Sequence, residues 1–125
     1  MEKEPFIIGV TGHRPARIKG QEQEIKNWFE TNIKNFIAAY DNVVVISGMA
    51  RGVDQIAAAA ALKCGARLWC YFPYRHELKG LEKQLAESAD LVLYETDEYT
   101  DASCYIKRDK RIVDDCDIML IVYDE

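Results

Sequence analysis

Apolar residues recur along this chain with two different periods, and the switches between them mark out its elements. Phe6-Ile7-Ile8-Gly9-Val10 is a buried first strand, which the polar turn Thr11-Gly12-His13-Arg14-Pro15 cannot continue. Ile25, Trp28, Phe29, Ile33, Phe36, Ile37 and Tyr40 then repeat at helical spacing, which predicts a helix over 22–40. Val43-Val44-Val45-Ile46 is a β-branched run, the mark of a strand covered on both faces of a parallel sheet. Helical spacing returns with Val53, Ile56, Ala57, Ala60, Ala61 and Cys64, and these small side chains let the helix lie close on a sheet. A third strand over 66–72 stops at Pro73. A short helix over 78–89 presents Leu81, Leu85 and Ala89, and a fourth strand follows over 90–94. A last helix over 101–116, capped by Asp101, leads to a fifth strand over 118–123.

Strands and helices alternate throughout with short connections, which predicts an α/β fold: a Rossmann-like, three-layer, doubly wound parallel sheet of five strands, expected in the order 3-2-1-4-5. No linker, repeat or low-complexity tract interrupts residues 1–125, so a single domain is expected. Ligands of such sheets bind outside the carboxyl ends of the strands, near the switch point beside the first strand. That rule gathers residues 11–14, 47–54, 73–76 and Asp124 along one edge.

Composition narrows the function classes. With 49% hydrophobic and 30% charged residues in 125, the chain reads as an ordinary globular domain. Its net charge of -5 gives no global attraction to nucleic acid. No apolar run approaches membrane-spanning length, and Met1-Glu2-Lys3-Glu4 lacks the regions of a signal peptide, so a cytoplasmic location and no membrane partner are expected. Cys64, Cys70, Cys104 and Cys116 form no C-x-x-C pair, and buried free thiols are expected in place of zinc ligands. Neither a metal nor a resident cofactor is expected.

The chemistry concentrates where the period switches from strand to helix, at Ser47-Gly48-Met49-Ala50-Arg51-Gly52-Val53-Asp54. Gly48 and Gly52 permit positive φ and close backbone approach, and the first amides of the helix are left without carbonyl partners, a geometry that suits an anion. For a lone Gly-x-x-x-Gly, an ordinary βα turn whose glycines relieve sterics is the favoured explanation. A second turn of the same kind, with Thr11, Gly12, His13 and Arg14, favours a phosphate site, because Arg14 can fork onto a phosphate and His13 can carry a proton. Arg51 adds a cation, and Asp54 either meets a ribose hydroxyl or complements the helix end. In the last helix Tyr105, Arg108, Ile112 and Cys116 form one stripe, with Ile106, Asp109 and Val113 on the adjoining one. Arg108 and Asp109 thus interrupt an inward face, and Arg108 is expected to reach the ligand edge. Tyr74 and Tyr99 are stacking aromatics or plain packing.

The two glycine turns, together with Tyr105 to Asp117 ending in Ile-Val-Asp-Asp-Cys-Asp before a hydrophobic strand, resemble the YpsA-like family of the SLOG superfamily. That superfamily also holds the DNA-processing DprA proteins, whose Ser-Gly-x-Ala-Arg-Gly-Ile-Asp is close to residues 47–54, and the LOG-type phosphoribohydrolases. The resemblance implies a nucleotide or nucleotide-derived ligand surrounded by Gly12, Arg14, Ser47, Gly48, Gly52 and Asp54, with Arg108 matching the family's helix arginine. Asp109 replaces an asparagine and Ile112 a methionine, and Pro73-Tyr74-Arg75-His76-Glu77 departs from the usual Pro-Phe-x-x-Gln. Relatives continue past the fifth strand into a Gly-Gly-Thr turn and a helix, which here would follow Glu125. Without that segment one face of the fifth strand lacks cover, and a homodimer or higher homo-oligomer is expected.

Three functions stay open. The first is recognition of a nucleotide-like small molecule through its phosphate, as in a sensor, by Thr11, Gly12, His13, Arg14, Ser47, Gly48, Met49, Arg51, Gly52, Asp54 and Arg108. The second is a hydrolase acting on a nucleotide's N-glycosidic or phosphate bond, with Asp54, Arg108 and Asp109 as catalytic candidates. The third is DprA-like binding of single-stranded DNA by Arg14, Arg51, Arg75 and Lys107.

Overall fold

Val43, Val44, Val45 and Ile46 are 3% exposed or less, because the strand they form has a neighbour on each side and helices on each face. That strand is β2 (Val43–Ser47), flanked by β1 (Phe6–Gly12) and β3 (Arg67–Tyr74). A computed structural model of the chain describes residues 4–12 and 18–122. Among them the elements β1, α1 (Glu22–Tyr40), β2, α2 (Val53–Cys64), β3, α3 (Gly80–Glu87), β4 (Leu91–Thr96), α4 (Ser103–Asp115) and β5 (Ile118–Val122) follow in that order. Every strand pair is parallel, and the architecture is α/β and Rossmann-like.

The strand order is β4-β3-β2-β1-β5, which corrects the expected 3-2-1-4-5. The fourth strand stays beside the third, paired from Trp69↔Leu91 to Tyr74↔Thr96. The reason lies in α3, eight residues long, whose Leu85 and Ala86 pack with Ala58 of α2. The third crossover therefore continues on the face used by the first two. The chain reverses one strand later, when α4 carries it back to place β5 against β1, from Ile8↔Ile118 to Gly12↔Val122.

Alternate residues of each strand serve different helices. Ile8, Val10, Val43 and Val45 meet Ile25, Phe29 and Ile33 of α1 and the alanines of α2. Leu68, Cys70 and Phe72 continue that layer toward α3. On the other face Ile112 of α4 packs with Ile46, Tyr71, Ile7 and Met119. Lys63 of α2 donates to Glu30 of α1 at 2.8 Å, which satisfies a buried carboxylate between the helices and holds it below the usual carboxylate range.

Three local expectations are corrected. β1 runs on through Thr11 and Gly12, because β5 supplies partners at Ile121 and Val122. β3 passes through Pro73 to Tyr74. Its pairing with β2 has ended at Ser47↔Cys70, and Thr96 ties the strand by donating Oγ1 to the Pro73 carbonyl at 3.3 Å and accepting the Arg75 N–H at 3.0 Å. Finally, Ile106, Asp109 and Val113 of α4 face solvent, while the inward stripe is Cys104, Arg108 and Ile112. No described helix is long and apolar enough to cross a membrane.

Candidate anion-binding site

The turn between β2 and α2 is tied down from all sides. Ser47 is fully buried, and its hydroxyl donates to the Asp54 carbonyl at 2.8 Å while accepting the Met49 N–H at 3.1 Å. The Asp54 carboxylate accepts the Ala50 N–H at 3.3 Å, and Gln55 Nε2 donates to the Met49 carbonyl at 3.1 Å. Left-handed backbone falls at Met49 (φ 63) and Gly52 (φ 94), not at Gly48. Gly52 is the N-cap of α2, and no side chain caps that helix.

Gly48 is glycine for a different reason, which is Arg108. A Cβ on Gly48 would lie 2.9 Å from both Cζ and Nη1 of that guanidinium. Arg108 is 6% exposed, held by Nη1 on the Gly48 carbonyl at 2.6 Å and on the Tyr71 carbonyl at 3.5 Å, and by Nε on Asp109 Oδ1 at 2.7 Å. Its Nη2 has no acceptor among the described residues. No fully buried side-chain nitrogen or oxygen among the described residues lacks a partner, and Arg108 lines a cavity.

That cavity measures about 630 Å³ and opens beyond the ends of β2 and β3. Gly48, Met49, Ala50 and Arg51 form one wall; Tyr74, His76 and the start of α3 form the other, and Tyr105 of α4 stands beside Arg108. His76 is fixed between the Tyr74 carbonyl, 3.1 Å from Nδ1, and Glu82 Oε1, 3.1 Å from Nε2. Tyr74 meets Tyr99 and Tyr105 edge-to-face, with centroids 5.3 and 6.1 Å apart.

Of the residues expected at the site, Gly48, Met49, Arg51 and Arg108 do line one cavity. Ser47 supports the turn from beneath, and Asp54 closes it through Ala50. Gly12 stands where a Cβ would collide with Val53, so it lets the end of β1 approach the start of α2. Thr11 is exposed on β1. Asp109 is exposed and touches Arg108 without lining the cavity. His13, Arg14 and Asp124 lie outside the described residues. Of the opposite wall, Tyr74 and His76 belong to the 73–76 segment expected at this edge, whereas Glu82 and Tyr105 were not expected at the site.

Comparison with known proteins fits this geometry. A family model described as DNA recombination-mediator protein A matches residues 3–122. DNA processing protein A (DprA) from Streptococcus pneumoniae superimposes with a TM-score of 0.73 at 21% identity, over 94% of this chain and 41% of that one. DNA processing protein A from Helicobacter pylori, whose structure describes a single-stranded DNA binding mode, gives 0.67 at 18%, over 94% and 53%. The protein TM1055 gives 0.62 at 12%, over 93% and 59%. At these identities the likeness is one of fold, and the chain spans 41% to 59% of the length of those structures. No curated protein matches the chain.

Proposed function

The chain belongs to the DNA recombination-mediator protein A family, within the SLOG superfamily, and on that premise we propose that its glycine turn and Arg108 bind the phosphate of a nucleotide or nucleotide-derived ligand. The observation that carries the reading is the buried guanidinium of Arg108 in the wall of the cavity, beside a helix start with no side-chain cap. A cation held in a low-dielectric wall attracts a phosphate more strongly than one in water. Tyr74 and Tyr105 give the same cavity an aromatic wall against which a base can lie. Recognition is favoured over hydrolysis because Asp54 is engaged with the turn and Asp109 with Arg108 Nε. Within the superfamily, the run Ile112-Val113-Asp114-Asp115-Cys116-Asp117 supports the YpsA-like branch.

A second reading, in which the nucleotide is one unit of a single DNA strand, is supported by the family match. Arg51 and Lys79 at the cavity supply further phosphate contacts, though the net charge of -5 gives a strand no long-range attraction. Calorimetric titration decides between them, using AMP, dAMP, ADP-ribose, NAD, adenosine and an oligo-dT strand, with Arg108→Gln as control. Binding of the mononucleotides but not of adenosine, weakened at least tenfold in Arg108→Gln, is the expected result. Equal binding of adenosine and AMP, or no binding of any probe, overturns the phosphate site. Binding of the oligonucleotide alone, with steep salt dependence, selects the second reading.

A further inference from the structure

An unbroken path of contacts joins Arg108 to a carboxylate. Arg108 Cζ lies 5.9 Å from the Tyr105 ring centroid. Tyr105 lies 6.1 Å from Tyr74, and Tyr74 lies 5.3 Å from the ring of His76. His76 Nε2 in turn lies 3.1 Å from Glu82 Oε1. All five residues line the same cavity, so its wall runs from a guanidinium through two phenol rings and an imidazole to a carboxylate. A nucleotide presents its groups in a matching order: a phosphate, then a flat base, then the polar atoms on the far edge of that base.

Glu82 is held in place for a contact. Its side chain is 23% exposed, His76 occupies Oε1, and Oε2 has no hydrogen bond among the described residues. A carboxylate accepts hydrogen bonds and donates none, and it repels a phosphate. The phosphate is therefore kept to the Arg108 end of the path, and whatever part of a ligand meets Glu82 has to bring an N–H or O–H. Glu77 and Lys79, the other charges on that side, are 81% and 79% exposed and pair with each other at 4.0 Å, so water screens them.

Resting on the phosphate reading above, we propose that Glu82 selects the base: it accepts a hydrogen bond from an exocyclic amino group, so that the cavity takes adenine and cytosine nucleotides and rejects those of uracil. Adenine and cytosine carry an amino donor where uracil carries a carbonyl oxygen. A carbonyl set against a carboxylate opposes two acceptors and satisfies neither. Glu82 also stands in the first turn of α3, where a carboxylate complements the helix start. That role alone predicts no preference among bases, and neither does a contact with a ribose hydroxyl.

Calorimetric titration of the whole chain tests this with AMP, with purine riboside 5′-monophosphate, which is AMP without its amino group, and with CMP and UMP. AMP is expected to bind about tenfold tighter than purine riboside monophosphate, and CMP about tenfold tighter than UMP, the loss of one hydrogen bond to a charged group. Glu82→Ala should bring each pair to equal affinity, with circular dichroism unchanged. The two comparisons in the natural chain need no variant, so they decide the matter whether or not Glu82→Ala folds. A preference that survives Glu82→Ala overturns the role of Glu82. Four equal affinities, all weakened in Arg108→Gln, remove Glu82 from the ligand and leave the phosphate site standing. Binding of none of the four, or affinities unmoved by Arg108→Gln, overturns the phosphate site and this inference with it.

Discussion

The guanidinium of Arg108 lies flat enough against Gly48 that a single methyl group on that glycine would enter its van der Waals surface, 2.9 Å from Cζ and Nη1. The same arginine donates to the Gly48 carbonyl at 2.6 Å. A glycine and an arginine in different halves of the chain are therefore one structural unit.

Gly48→Ala should cost stability and binding together. The added methyl has to displace the guanidinium, an overpacking that costs about 1–3 kcal/mol, and shifts Arg108 from its place in the cavity wall. Urea unfolding should show the loss, and titration with AMP should show affinity down at least tenfold. Unchanged affinity would mean that the phosphate does not meet Arg108.

Acid should weaken the fold through two carboxylates. Arg111 donates twice to Glu95, at 2.7 and 3.0 Å, and holds its carboxyl below the usual range, as Lys63 does for Glu30. A folded-state pKa lowered in this way adds stability above the unfolded value of about 4.3, and that stability is lost as pH falls through the lower folded value. Urea midpoints between about pH 5 and 3 should therefore fall less in Glu95→Gln and Glu30→Gln than in the natural chain. Parallel curves would remove these pairs from the account.

Alkali should act through Tyr71. Burial, and then the bond its hydroxyl donates to Asp115 at 2.7 Å, push the phenol well above its ordinary range. The contribution is complete below the unfolded value of about 10 and is lost as pH rises beyond it, since the unfolded chain ionises first. Tyr71→Phe should lower stability near neutrality by about 1 kcal/mol and flatten the decline above pH 10. Denaturation followed by fluorescence across that range reads both effects.

Cys70 should resist alkylation in the folded chain. It is fully buried in β3, and burial pushes its thiol up to about 12, so almost no thiolate exists at pH 8. Iodoacetamide followed by mass spectrometry should label Cys70 only after unfolding. Rapid native labelling would show that β3 opens locally.

Much of the fold is legible in the sequence because burial imposes a period. The stripe from Ile25 to Tyr40 gives α1 its full extent, 22–40, and the valine run marks the centre of the sheet. What periodicity does not carry is which edge a strand joins. β4 and β5 are both short, half-buried edge strands with similar patterns, so their places depend on the length of α3 and the packing of α4. The site divides in the same way. Gly48 and Arg108 stand out because a glycine and a buried charge break local rules, although Gly48 proves to make room for a side chain and Met49 carries the left-handed backbone. Tyr74 and His76 reach the cavity as the strand-end rule expects, but Glu82 and Tyr105 break no local rule, so only the tertiary fold brings them there.

The 60 positions between Gly48 and Arg108 also order events in time. A chain leaving the ribosome has made β1 through β4, the glycine turn and three helices before residue 108 exists. Until then the turn has no guanidinium beneath it. On the proposed reading, the anion site is therefore incomplete until the last quarter of the chain crosses back over the sheet.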